Sequence, residues 1–406
     1  MSKVHLVTPH FAPEITAAAH RMEALANTLS REHQVIVYAL TERGVTPAEK
    51  EVMLSDNLTV RYIALPEYPK ALFFLRAFVE AWYSVRLAFA ATRRRSDWLI
   101  ATSPFMFLIP AIAFFGRGRR KIMDVRDLVW CYMPDRNIFQ RAIRSLLQRV
   151  IVRSLRKFDH ITVTNSSEEQ WMIRTAAVPR ARLSIVSNGL SQDRFRRLSN
   201  IAYYPPEHPL VITYIGNIGN GQDLGPVIDV VRHLPDVKLN LIGDGIELER
   251  YRKYIRQENI RNVQFFGKMK WNRLLPFYQT SSILLARLGK NYQSALPSKL
   301  FEYLATGLPV LFYGNGEAAR FLKDFENVFI VRQEDQEELR RAIRQLQTLT
   351  PPRSFANILR VESNFIREHL NLRYLDLLKD PAERVTVLEP VGMDAQSRAD
   401  WSLREA

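Results

Sequence analysis

The sequence predicts an α/β protein built from two Rossmann-like halves. Three observations carry that expectation. Short apolar runs recur along the chain, helical patterns fall between most of them, and one proline-rich break divides the series in two. Strands separated by helical segments are the pattern of βαβ units and parallel sheets. Composition agrees: 47% hydrophobic and 24% charged residues over 406 positions suit a globular protein of two or three domains.

In the first half the strand-like runs cover residues 4–7, 35–40, 60–65, 98–102, 121–125, 161–164 and 183–186. In the second half they cover 211–215, 239–242, 263–266, 283–286, 310–313 and 328–331. Helix-like stretches between them include 20–30, 246–257 and 299–305. The break lies at 200–209, where Tyr203-Tyr-Pro-Pro-Glu-His-Pro interrupts both helix and ladder. The expected domains are therefore 1–200 and 201–354. A helical stretch over 355–379 follows, then a polar tail over 380–406 expected to be poorly ordered.

Charge narrows the partners. Lys and Arg number 57 against 42 Asp and Glu, a formal net charge of +15. Residues 1–205 hold 30 basic and 17 acidic side chains, a difference of +13; the remaining 27 and 25 differ by +2. The first half is thus the one to meet a polyanionic surface. No helix-turn-helix, zinc-finger, RNP or KH signature appears, which argues against nucleic acid. The chain opens directly on a strand-like run, without a secretory pattern. The best membrane-spanning candidate, 71–92, contains Arg76, Glu80 and Arg86. At about 2.5–3.5 kcal/mol per central charge, that segment reads as a surface or packed helix. The run 104–115 is too short to span. Both apolar segments end in basic clusters, Arg93-Arg-Arg95 and Arg117-Gly-Arg-Arg-Lys121, which suits a face resting on anionic lipid. The alternative is two helices packed on the sheet with solvated ends. The lone Cys131 excludes an intrachain disulfide and a thiolate zinc site, and points to a reducing compartment.

Three segments of the second half carry chemistry. Ile215-Gly-Asn-Ile-Gly-Asn-Gly221 follows a strand, so Gly216 and Gly219 would let a ligand phosphate approach backbone and the next helix N-terminus. A plain glycine-rich turn is the alternative. Gly243-Asp-Gly245 repeats that geometry, with Asp244 placed as a helix cap. Ala295-Leu-Pro-Ser-Lys-Leu-Phe-Glu-Tyr-Leu-Ala-Thr-Gly-Leu-Pro-Val310 is a helix with marked start and end, entering a strand. Its Lys299 and Glu302 share one face of the first turns. A phosphate at that N-terminus and a ribose diol on the carboxylate are one reading, and service to the helix dipole is the other.

Gly243-Asp-Gly245 and Pro297-Ser-Lys-Leu-Phe-Glu-Tyr-Leu-Ala-Thr-Gly-Leu-Pro309 resemble the donor half of family 4 retaining glycosyltransferases, which have the GT-B fold. Phe11-Ala-Pro-Glu-Ile-Thr-Ala-Ala-Ala-His-Arg21, Thr102-Ser-Pro104, Val125-Arg-Asp-Leu-Val129 and Ser187-Asn-Gly-Leu-Ser-Gln-Asp-Arg-Phe195 resemble segments of the family's first half. Order and spacing hold over roughly residues 3–378, with the branch that builds bacterial surface polysaccharides and lipid-linked O-antigen units nearest.

The resemblance implies two Rossmann-like domains facing across a cleft, with a C-terminal helix crossing back to the first. It implies a nucleotide-sugar donor held mainly by the second domain, and a lipid-linked saccharide acceptor. Glu302 matches the last Glu of the family's E-x7-E motif, which grips the ribose. Leu296, Pro297, Ser298 and Lys299 would hold the diphosphate, Lys268 would flank the base, and Gly216, Gly219 and Gly243 would line the phosphate side. Three departures stand out. Ser294 occupies the place of the first Glu, Asn217 and Gln222 stand where many members carry a phosphate-clamping Arg and Lys, and Ala17-Ala18 replace a glycine pair. Lys299 or Arg287 would then supply the clamp. His10, Glu14, Arg21 and Arg126 are the acceptor-side candidates, and His20 and Asp127 the catalytic ones beside Lys299; each could equally be a cap or core partner. No Asp-x-Asp, His-Glu-x-x-His or Cys-x-x-Cys occurs, so neither metal nor organic cofactor is expected. The implied activity is metal-independent retaining glycosyl transfer by a cytoplasmic protein, peripheral on the inner membrane face. A weakly catalytic scaffold and a nucleotide-sugar epimerase of the same fold are the alternatives.

Overall fold

The structure is a computed structural model. It describes residues 1–379 except 15, 43–50, 69–72, 104, 134–136, 205–207, 333 and 349–350. The expected polar tail, residues 380–406, lies outside the described residues, as do Ala71 and Pro104.

The first sheet has eight strands: β1 (Lys3–Thr8), β2 (Gln34–Glu42), β3 (Glu51–Ser55), β4 (Leu58–Leu65), β5 (Ser96–Thr102), β6 (Gly118–Asp124), β7 (His160–Val163) and β8 (Leu183–Ile185). Their order is β3-β4-β2-β1-β5-β6-β7-β8, parallel except for the edge hairpin of β3 on β4. The second sheet has β9 (Leu210–Ile215), β10 (Val237–Ile242), β11 (Val263–Gly267), β12 (Ile283–Arg287), β13 (Val310–Tyr313) and β14 (Val328–Val331). Its order is β11-β10-β9-β12-β13-β14, parallel throughout, so the order reverses between β9 and β12. Ligands of open α/β sheets bind outside the carboxyl ends of strands at such a reversal.

Burial on both faces explains the continuous apolar strands. All four residues of β13 and all five of β12 are buried, including Arg287. Two core clusters flank each sheet, one of them pairing the first sheet with Tyr374, Leu375 and Leu378 near the chain end.

The expected single stretch over 355–379 is two helices. Phe355–Asn364 packs on the second domain, where Asn357 bonds Glu326 backbone and Ser354 bonds the Glu326 carboxylate. Arg367–Leu378 packs on the helix Ala17–Leu29 of the first domain. The chain changes direction at Phe365 and Ile366, which bridge to Leu190 through paired backbone bonds. An unbroken helix could not lay its two apolar faces on two bodies; the interruption rotates the second stripe onto the first domain.

Helices Phe73–Thr92, Leu108–Phe115 and Ile138–Leu155 lie side by side over one face of the first sheet. No helix among the described residues is long and apolar enough to cross a membrane. The basic cluster 117–121 does not end a helix, as expected, but opens β6. There Arg120 lies 5.1 Å over the Trp98 ring, and the Lys121 amine donates to the Ala113 carbonyl. Alternating strand geometry turns successive basic side chains to opposite sides, so they form no single helical face.

Candidate active site

The carboxyl ends of both sheets face each other, and the second domain supplies the glycine-rich loops. Gly216, directly after β9, has φ of 147°, and Gly243, directly after β10, has φ of 143°. The two loops pack on each other. The Gly216 amide donates to the Ile242 carbonyl at 2.8 Å, and a Cβ at Gly243 would collide with the Gly216 carbonyl oxygen. Conformation favours glycine at both positions, and at Gly243 backbone contact requires it as well. Asp244 accepts from the Gly245 amide within the loop and does not cap the following helix, contrary to the expectation from sequence: Leu248–Gln257 starts after Glu247 and has no side-chain cap.

Lys299 opens the helix Lys299–Thr306 and reaches back under that glycine loop. Its amine is buried without a hydrogen-bond partner, 3.8 Å from the centre of the Tyr214 ring. A Cβ at Gly216 would stand 2.5 Å from it. Burial pulls its pKa from 10.5 down to about 7, with Glu302 opposing. Charging a buried amine that has no acceptor is costly, and an anion beside it would offset that cost. The Ser298 and Lys299 amides at the same helix start add partial positive charge.

One turn on, Glu302 is held from two directions. Arg194 donates to Oε1 at 2.9 Å and the Tyr278 hydroxyl to Oε2 at 3.0 Å. Arg194 belongs to the helix Gln192–Ser199, which packs on the helix Lys299–Thr306, and its guanidinium also lies over Trp271. The bonds fix the carboxylate's direction while leaving lone pairs for two further donors.

Other expected donor-side residues are placed differently. Asn217 and Gln222 bond each other at 2.9 Å. Arg287 is not available as a clamp. It donates to the Asp223 carbonyl and carboxylate, its plane lies 4.1 Å from the Tyr313 ring, and it is buried. Lys268 is exposed just past β11. Gly219 sits beside the Asn217 amide. Leu296 is buried, and its carbonyl accepts from Asn188 of the first domain. Pro297 accepts from the Leu300 amide, which begins the helix.

On the first domain, Asp124 at the end of β6 is the centre of a buried cluster. It accepts from Arg126, Thr102, Thr162, the Tyr374 hydroxyl and, at 3.4 Å, Arg21. Burial would raise Asp124, but Arg126 and Arg21 outweigh it and hold the pKa below the ordinary carboxylate value. Arg21, taken first by burial and then by Arg126, falls to about 9. Arg21 and Arg126 therefore belong to an internal ion cluster that docks the C-terminal helix, and do not present open charge to an acceptor. His10 and Glu14 pair with each other at 2.8 Å, and His20 stands 3.8 Å from Glu23.

Asp127 lies mostly buried beyond β6, and burial raises its pKa. Its Oδ1 accepts from the Tyr132 hydroxyl at 2.6 Å. Tyr132 also meets the Ser294 hydroxyl of the second domain at 2.8 Å, and its ring lies 4.8 Å from that of Tyr292. Asn165 donates to the Ser294 carbonyl, while Ser166 and Ser167 donate to Glu317. The two expected residues Asp127 and Ser294 are thus brought together through Tyr132, which sequence reasoning missed, as it missed Asn165 and Tyr278. Arg194 had a signal, since it lies in the segment Ser187–Phe195 already singled out. Among the described residues no group of three or more His, Cys, Asp or Glu is placed to hold a metal ion.

Two doubly wound domains, closed over a cleft with glycine loops and a buried amine at a helix start, define the GT-B class. Residues 18–194 match the model of Glycosyltransferase Family 4, and residues 200–354 match that of Glycosyl transferases group 1. The chain belongs to glycosyltransferase family 4. It is 29% identical over 176 residues to the putative colanic acid biosynthesis glycosyl transferase WcaI of Escherichia coli K12, covering 41% of this chain and 43% of that relative. The match thus spans less than half of the relative's length. Among solved structures, sucrose-phosphate synthase from Thermosynechococcus elongatus superposes with a TM-score of 0.70 at 15% identity, covering 93% of this chain and 98% of that one. HepE from Anabaena, solved in complex with UDP, gives 0.61 at 14% identity, with 93% and 99% covered. WaaG, a glycosyltransferase involved in lipopolysaccharide biosynthesis, gives 0.60 at 16% identity, with 93% and 99% covered. At these identities the likeness to solved structures speaks for the fold.

Proposed function

We propose that this protein is a retaining glycosyltransferase that moves a sugar from a nucleotide-sugar to a lipid-linked saccharide in surface polysaccharide assembly, working against an anionic membrane face on the cytoplasmic side. The observation that carries the reading is the buried, partnerless Lys299 amine at the start of a helix, facing Gly216. The diphosphate of a nucleotide-sugar is the anion that fits. The likeness to a colanic acid enzyme supports the pathway class, and the structures of HepE with UDP and with UDP-glucose support the donor class.

In this reading Glu302 accepts two ribose hydroxyls, oriented by Arg194 and Tyr278. As the glycosidic bond breaks, charge grows on the leaving diphosphate. Lys299 and the helix amides stabilise it without reorganisation, since they are held before the reaction starts. The leaving phosphate itself takes the acceptor proton, so no side chain is needed as a base. That arrangement places the leaving-group charge on protein cations, and activity is expected to survive EDTA; loss on chelation with rescue by magnesium would overturn the metal-free reading.

A second reading, a weakly catalytic scaffold, is favoured by one observation: Asn217 and Gln222 satisfy each other where cationic clamps would stand. A thermal-shift screen with UDP-, GDP-, dTDP- and ADP-sugars separates the readings. A ligand at 100 times its Kd stabilises by about 2.7 kcal/mol. A clear shift with one donor, followed by transfer to a lipid-linked saccharide with retained anomeric configuration, is the expected result. Isomerisation of the donor alone would indicate an epimerase, and binding without turnover the scaffold.

A further inference from the structure

The cleft is closed in this structure by a polar chain that runs from one domain into the other. Its first-domain end is Asp127, whose burial leaves it dependent on a donor. Its middle is Tyr132, within reach of both Asp127 and Ser294. The 2.6 Å separation from a carboxylate assigns the phenol proton to Asp127, so the Ser294 hydroxyl donates in turn to the Tyr132 oxygen. Burial first, and then the charge of Asp127, hold the phenol in its protonated form. The chain is reinforced on both sides. Tyr132 packs against Tyr292, two residues from Ser294, and Asn165 fixes the Ser294 carbonyl at 3.0 Å. Ser294 stands eight residues before Glu302, on the loop that leads into the phosphate-facing helix.

We infer that Tyr132 is a positioning and specificity residue for the donor sugar, reaching from the first domain to supply beside Ser294 the polar reach that this short side chain lacks. The inference rests on the donor-binding reading above. A glutamate at position 294 would put a second carboxylate within reach of the same phenol, one hydroxyl away from Asp127. Serine at 294 and tyrosine at 132 are therefore a matched pair: the short residue makes room, and the long one arrives with its charge held on the far domain. A sugar hydroxyl entering this point would exchange for the Ser294–Tyr132 bond and meet a donor and an acceptor together. The bare nucleotide would not touch them, because Lys299 and Glu302 lie further along the loop and helix.

The test is a double-mutant cycle on Tyr132→Phe and Ser294→Ala, read by calorimetry with UDP and UDP-glucose and then with the other nucleotide and nucleotide-sugar pairs of the screen. Tyr132→Phe keeps the ring and its packing, and Ser294→Ala approaches the same bond from the other side, so one variant remains informative if the other unfolds. Each is expected to leave nucleotide affinity within about twofold and to weaken the nucleotide-sugar by about threefold to tenfold, the effect of one hydrogen bond between uncharged groups. The double variant should lose little more than either single one. Equal loss for nucleotide and nucleotide-sugar, or fully additive effects, would overturn the inference while leaving the donor site standing. A wild-type protein that binds no nucleotide of the panel would overturn the donor reading itself, and this assignment with it.

Discussion

At the scale of single residues, Lys299 is where structure and ionisation meet. Its free amine titrates near 7, far below the lysine norm, because it is buried before its partner arrives. A bound diphosphate would restore the charged form, so donor binding should draw in a proton over the range above 7. Nucleotide-sugar affinity is expected to be highest below pH 7 and to fall, by up to about tenfold per unit, as pH rises until the pKa of the bound state is passed. A nucleotide-sugar is the right probe, since its diphosphate has no group titrating near neutrality. Calorimetry in two buffers of different ionisation enthalpy should register the proton, and Lys299→Met should abolish both the uptake and the slope. A flat profile in wild type would show that the amine never meets the phosphates. Neighbouring Glu302 makes a simpler prediction. Replacing its carboxylate by an amide leaves one acceptor oxygen for Arg194 and Tyr278 in place of two, and takes charge-assisted bonds worth about 1.5–3 kcal/mol each from the ribose. Glu302→Gln should thus weaken nucleotide binding at least about tenfold, and unchanged affinity in a folded variant would reduce Glu302 to a helix residue. The glycine loops, Lys299 and Glu302 were legible because each motif is local in sequence. The partners that define their chemistry were not: Arg194 lies 108 positions from Glu302, and Tyr132 lies 162 from Ser294. Nothing in local spacing reports a bond made by domain closure.

Elements were read well wherever their own burial dictates their pattern. All thirteen apolar runs are strands of the two parallel sheets, because strands covered on both faces must be apolar throughout. The strand that escaped notice, β3, is an exposed edge with the sequence Glu-Val-Met-Leu-Ser, held by its hairpin with β4 and by Glu51 pairing with Arg61. Its conformation comes from a neighbour and not from its own periodicity. The same holds for the C-terminal helices, whose break follows from having to serve two domains. Asp124 tests that account. It anchors Tyr374 of the helix Arg367–Leu378 and neutralises Arg126 and Arg21. Asp124→Asn would strand two buried guanidiniums, a loss of about 3–5 kcal/mol by analogy with other buried pairs. Denaturant unfolding should register that loss, and Tyr374→Phe should give a smaller one of about 1.5–3 kcal/mol, the value of a bond to a charged group. The sign with pH is also fixed. Asp124 is depressed in the folded state, so its contribution is present above the unfolded carboxylate value and is lost as pH falls through the folded one. Similar stability of wild type and Asp124→Asn at neutral pH would mean the cluster does not hold the helix.

For the whole molecule, the decisive asymmetry is charge, and the fold shows where it is spent. The first half carries a difference of +13, and the three helices over its sheet present aromatic side chains among arginines. Trp82 is 56% exposed and Phe78 68%; Phe89 and Phe115 stack at 5.0 Å on the surface, and Phe139 and Leu146 are exposed further along. The helix Ile138–Leu155 has four arginines and no acid, and Arg141, Arg149 and Arg153 are exposed. Sequence reading assigned the lipid-facing charge to 93–95 and 117–121. The structure keeps the first cluster exposed, leaves Arg117 and Arg119 of the second exposed at the start of β6, and adds the exposed arginines of the helix Ile138–Leu155. A monomer seldom exposes so many large apolar groups together, and a basic rim around them matches an interface that is apolar beneath and anionic above. The protein should therefore sediment with vesicles containing phosphatidylglycerol and remain free with phosphatidylcholine alone. Binding should weaken from 0.1 M to 1 M salt, as the Debye length contracts from about 10 Å to about 3 Å. Reversing Arg141, Arg149 and Arg153 to Glu should remove most of it, at about 1 kcal/mol for each charge taken from the surface. Trp82→Ala should lower the residual binding at high salt, where only the apolar contact survives. The two sets of changes act through different forces, so each should alter a different part of the salt curve. Equal sedimentation with both lipids, unchanged by the charge reversals, would place these helices against a protein partner instead of a membrane.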